Sequence, residues 1–175
     1  MAGIVYQLRT GIPWRLLPTR QLGCGSPVTC WRRLRDWHRA GVWQQLHHQL
    51  LHQLGRQGQL DWSRASLDSI SVRAKRGAEL AGPNPTDRGK SGSKYHLLTD
   101  RRGITPRIAR RGIESSQRLG RHRYVVERSL GWLVGYRRLQ VRYERRADIL
   151  LGLVHLAWAL TCLDSLNQSR HEPGG

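Results

Sequence analysis

Residues 60–74, LDWSRASLDSISVRA, decide the fold class. Leu67, Ile70 and Val72 flank Asp68 in a short strand-like pattern, and an aspartate in mid-strand is disfavoured. Such an acid is either a bulge or edge residue, the commoner case, or a group held for chemistry. Downstream, the chain is rich in Gly, Pro, Ser and basic residues, Lys90 and Lys94 among them, and reads as a long basic loop feeding a second strand at 95–99. A weak alternation in ITPRIAR predicts a third strand ending at Arg110. Upstream, Trp31, Leu34 and Trp37 recur at helical spacing until Gly41, and Trp43, Leu46, Leu50, Leu51 and Leu54 mark a second helix closed by Gly55 and Gly58. This helical pair leaves Arg32, Arg33, Arg35 and Arg39 on its outer face. From Arg121 to about Arg138, the stripe Val126, Leu130 and Leu133 predicts a further helix. Asp148 is placed to cap a last one, running to about Leu166, apolar nearly all round and hence buried.

Composition narrows the function classes. With 38% hydrophobic residues and seven tryptophans, 175 residues suffice for a packed core, and collagen-like, disulfide-dense and membrane-spanning classes are set aside. The longest apolar run, 149–163, falls short of the roughly 20 residues a bilayer needs and reads as a core helix, so no membrane is expected. The N-terminus has neither a basic n-region nor a long h-region, which points to the cytoplasm. Cys24, Cys30 and Cys162 are odd in number and fit reduced thiols. Thirty Lys and Arg against twelve Asp and Glu give a net charge of +18, spread from Arg9 to Arg170. Polyanions are the partners such a chain attracts.

Against that basic background two acids stand out, Asp68 on a strand and Glu127 on an arginine-flanked helix. Clamping two Mg²⁺ ions about 3.5–4 Å apart for phosphoryl transfer requires several carboxylates from separate elements, and these two are a plausible start. The commoner role of an acid inside a basic helix is an ion pair, here Glu127 with Arg123 or Arg128. Cys24, Cys30 and His38 lack zinc-site spacing, while His48 and His52 read as a polar helix face.

Four blocks resemble one family. LRTGIPWRLLP (8–18) with TCWRRLRDWHRAGVW (29–43), LDWSRASLDSISVRA (60–74), GPNPTDRGKSGSKYHLLTD (82–100) and ARRGIESSQRLGRHRYVVERSLGWLVGYRRLQVRYERRADI (109–149) are similar, in order, to bacterial insertion-sequence transposases of the DDE type, insertion-sequence family five. The resemblance covers nearly the whole chain. It implies an RNase H-like α/β fold, a mixed sheet with flanking helices, preceded by a small basic helical module. The corresponding division is a DNA-binding-like module at 1–58, a catalytic domain at 60–166 and a disordered tail at 167–175. By matching position, Asp68 would be the first metal ligand and Glu127 the third catalytic acid, with Mg²⁺ or Mn²⁺ as cofactor. Arg123, Arg137 and Arg138 would be basic companions on DNA, beside Arg32, Arg33, Arg35, Lys90 and Lys94.

The family's second aspartate has no match. HLLTDRRGI runs straight into TPRIARRG, so the junction at 101–104 reads as an internal deletion that also removes the strand beside the Asp68 strand. Asp100 is the remaining substitute acid, although it matches a loop position. If residues 104–110 do not move in beside it, the Asp68 strand is left as an exposed edge. The expectation is a transposase copy without catalysis. Its partners would be DNA at the element's terminal inverted repeats and, in an oligomer, a second copy or an intact transposase. The alternative is a non-catalytic basic DNA-binding protein that interferes with intact transposase.

Overall fold

The computed structural model of the chain describes residues 1–63, 65–75, 77–84, 87–101, 104, 107–108 and 135–171. Helix α1 (Ala2–Thr10) buries Ile4, Gln7 and Leu8 and stops at Gly11, whose φ of 71° is the left-handed conformation that a glycine adopts without strain. A 3₁₀ turn at Trp14–Leu16 follows. Helix α2 (Pro27–Arg39) starts where the Ser26 hydroxyl accepts the Thr29 amide and Pro27 presets the first turn. Helix α3 (Val42–Arg56) begins after Gly41, also left-handed at φ 73°. The two are locked together by Trp43, which donates its indole N–H to the Leu34 carbonyl at 3.1 Å and meets Trp37 edge-on at 5.3 Å. Both helices lie within two residues of their expected ends.

The sheet follows. Strands β1 (Ala65–Ala74) and β3 (Ser91–Asp100) pair antiparallel from Ala65 opposite Asp100 to Arg73 opposite Gly92, which sets Asp68 opposite Leu97. Both are longer than the strands expected. The short β2 (Gly82–Pro83) covers one end of β3's other edge, and β4 (Arg107–Ile108) covers the opposite end through Leu97–Ile108 and Leu98–Arg107. Helix α4 (Arg137–Gln140) leads into β5 (Val141–Arg142), parallel to β1 at Arg73 and Ala74. The five-stranded sheet is therefore mixed. The described strand of the segment proposed to shield the Asp68 strand, β4, pairs antiparallel with β3 and not with β1. Among the described residues, β1 is paired on its second edge only at Arg73 and Ala74. The stripe Val126, Leu130 and Leu133 of the helix expected from Arg121 lies outside the described residues, and α4 is a separate turn that starts after Tyr136, whose backbone is extended.

Helix α5 (Ala147–His171) runs 25 residues, longer than the apolar run suggested. It is long and apolar enough to cross a membrane, yet 61% of its apolar window is buried inside the fold. Asp148 sits in its first turn, while the Ala147 amide is accepted by the Glu79 carboxylate, 68 residues earlier in the chain. Ile149, Leu153, Leu156 and Trp158 of α5 join Ile4, Leu8, Leu34 and Trp43 of the first three helices and Leu97 of β3 in one core. That core crosses the boundary expected near residue 58.

Candidate nucleic-acid interface and the remnant acid site

On α2 the apolar positions Cys30 and Leu34 face inward, so helical periodicity turns Arg32 and Arg33 to solvent, where both are exposed. Arg35 is held differently. Its Nε donates to Asp36 at 2.7 Å and its guanidinium lies 5.5 Å over the Trp31 ring. The same contact, with Arg32 and Arg39 nearby, keeps the Asp36 carboxyl below its usual range. Arg146 also covers Trp31, at 5.8 Å, and pairs with Asp148, which Arg39 approaches to 3.6 Å. Lys90 is exposed beside Asp87 at 3.6 Å; Lys94 on β3 and Arg137 on α4 are exposed as well.

Arg138 does not reach the surface. It is 7% exposed, donates to the Glu144 carboxylate from Nε at 2.8 Å and Nη2 at 2.5 Å, and points Nη1 at the Gly11 and Ile12 carbonyls. It therefore ties the end of α1 to α4 and is turned away from any phosphate, contrary to the DNA-contacting position expected of it. A cation buried this deeply needs such a partner. Arg142 is also buried, donating to the Ser93 hydroxyl at 2.6 Å and the Glu144 carbonyl at 3.1 Å. Neither Glu144 nor Arg142 was marked by the sequence, since the six-residue step from Arg138 to Glu144 is not a helical one.

The acid site is incomplete in the described residues. Asp68 lies on β1 at the Leu97 register; Glu127 and Arg123 fall outside the described residues. Asp100, the substitute acid, is fully buried at the end of β3 and not in a loop. Its Oδ2 accepts the Asp61 amide at 2.8 Å and its Oδ1 the Ile104 amide at 2.6 Å, so it pins the chain entering β1 and the turn leaving β3. It stands three residues along β3 from Leu97, an odd offset that in an alternating strand puts Asp100 on the opposite face of the sheet from Leu97. Among the described residues no three His, Cys, Asp or Glu side chains gather as metal ligands would.

Two further clusters escaped the sequence. His38 of α2, His47 of α3 and His155 of α5 meet where the helices pack, with ring centroids of His155 6.3 Å from each of the other two. Burial, reinforced by His38 and His48, pushes His155 down to about 4. A cleft of about 260 Å³ between β3 and α5 is lined by Tyr95, Arg142, Leu150 and Val154, and burial pushes Tyr95 up to about 12. Only long-range packing assembles either group.

Residues 1–47 match the family described as "Putative transposase of IS4/5 family (DUF4096)". Two proteins of Burkholderia cepacia are similar to the chain. "Insertion element IS402 uncharacterized 16.2 kDa protein" is 52% identical over 85 residues, 49% of this chain and 57% of that protein. "Putative transposase for insertion sequence element IS402" is 39% identical over 106 residues, 59% of this chain and 50% of that protein. The chain thus spans about half the length of the curated relatives it matches. No solved structure matches it.

Proposed function

We propose, for a chain that is kin to the insertion-sequence transposases of the IS4/5 group, that it is a DNA-binding form of such a transposase without strand-cleaving activity. The observation that carries the reading is the state of Asp100: the substitute acid of the sheet holds two backbone amides with its two oxygens, which leaves Asp68 and Glu127 as the acids for a cage that needs more ligands. Among the described residues no acids gather that would fit a two-ion Mg²⁺ or Mn²⁺ site, and no phosphoryl transfer is assigned to the chain. An RNase H-like ancestry agrees with β1 lying between antiparallel β3 and parallel β5. Binding rests on the net charge of +18 and on cations that face solvent, Arg32, Arg33, Lys94 and Arg137 among them. Element ends carrying the terminal inverted repeats are the DNA expected, with a second copy or an intact transposase as protein partner.

Two measurements test this. Binding to duplex DNA should weaken steeply from low to high salt, with a log-log slope set by the phosphates contacted, and affinity indifferent to salt argues against it. Incubating inverted-repeat DNA with Mn²⁺ should give no cleavage or joining, and Asp68→Ala should leave binding unchanged. Mn²⁺-dependent cleavage that Asp68→Ala abolishes would overturn the proposed inactivity.

A further inference from the structure

Helix α3 is unlike the rest of the chain's surface. Trp43, His47, Leu51 and Leu54 on one side are buried in the core, and Gln45, His48, Gln49, His52, Gln53 and Arg56 on the other are exposed. Those six sit at i, i+3, i+4, i+7, i+8 and i+11, one continuous helical face. In a chain with thirty cations this fifteen-residue helix carries one arginine and no acid. A face that only had to be soluble would ordinarily use Lys and Glu; this one uses amides and imidazoles, which offer paired donors and acceptors in fixed geometry.

We infer that the Gln45–Arg56 face of α3 reads base edges in the major groove of duplex DNA, while arginines such as Arg32 and Arg33 on α2 hold the phosphates. The inference rests on the DNA-binding reading above and adds to it the residues that read the DNA sequence. Charge contacts position a protein on DNA without reporting its sequence; base edges are read by amide and guanidinium forks, Gln on adenine and Arg on guanine. From Gln45 to Arg56 the helix rises about 16 Å, the length of roughly five base-pair steps. The support is rigid, because the Trp43 hydrogen bond to Leu34 and the Trp37–Trp43 contact fix α3 against α2.

Selection from a pool of randomised duplexes, followed by affinity and salt-dependence measurements on the selected and a scrambled duplex, tests it with the full chain. The native chain should enrich a short motif. Gln49→Ala with His52→Ala should cut the preference for that motif by about ten- to a hundredfold while the salt slope stays the same. Arg32→Ala with Arg33→Ala should instead weaken both duplexes and lower the slope by about two. A pool that yields no motif, or a preference the α3 changes do not move, overturns base reading and leaves DNA binding standing. Failure to bind any duplex at low salt sinks both.

Discussion

At the scale of single residues, buried charge decides most. Removing one member of the Arg138–Glu144 pair leaves a carboxylate in the interior without its cation, a loss of about 3–5 kcal/mol for a buried pair. Arg138→Ala should therefore lower the urea midpoint sharply, and Arg138→Met with Glu144→Leu should regain most of the loss. Weakened DNA binding in a still-stable Arg138→Ala protein would place Arg138 on DNA after all. His155 supplies a pH dependence. Burial lowers it from 6.5 to about 4, so the folded chain keeps the imidazole neutral in a range where the unfolded chain takes up a proton. Stability present above pH 6.5 should fall as pH drops from 6.5 towards 4, by about 2 kcal/mol once partial solvent screening is allowed for. Burial lowers His38 in the same direction and Asp148 opposes it. Urea titrations at a series of pH values should lose most of this slope in His155→Leu; an unchanged slope would assign it to other groups.

At the scale of elements, close approach of helices is what single side chains permit or forbid. Gly152 lies in mid-α5, and a methyl group there would stand 3.2 Å from His38 Cβ, an atom fixed to the α2 backbone. Alanine gains about 1 kcal/mol of helix propensity over glycine, yet α2 must shift to admit it and the His38–His155 stack shifts with it. We expect Gly152→Ala to destabilise the chain by a net of about 1 kcal/mol in thermal melts; a raised melting temperature would show that the interface can yield. Elements were legible where the pattern is local. The Trp31–Leu34–Trp37 and Trp43–Leu54 stripes marked α2 and α3, and Ile70 and Val72 marked β1, because periodicity reports which face is buried. The two-residue β5 could not be read, since a strand that short exists only through its pairing with Arg73 and Ala74. Asp100 was matched to a loop position, and its place at the end of β3 depends in part on the Asp61 amide, 39 residues before it, a separation no local pattern encodes.

For the whole molecule, the question is whether the basic helical unit stands alone. Composition and resemblance suggested a module ending near residue 58, but Leu34, Trp43 and Leu54 are at most 1% exposed and reach that state with α5 in place. Uncovering three such side chains forfeits about 1.5–3 kcal/mol each, and a small domain's whole stability is about 5–15 kcal/mol. Helix α5 thus acts as the shared wall against which α2 and α3 rest, and the DNA-contacting surface proposed on them depends on chain from the far C-terminal part. A fragment of residues 1–58 should show weak helicity by circular dichroism, no cooperative melt and red-shifted tryptophan fluorescence, and adding an α5 peptide in excess should restore part of the helical signal. A cooperative melt for 1–58 alone would mean that the helical pair closes its own core, and recognition by α3 would then survive loss of the sheet.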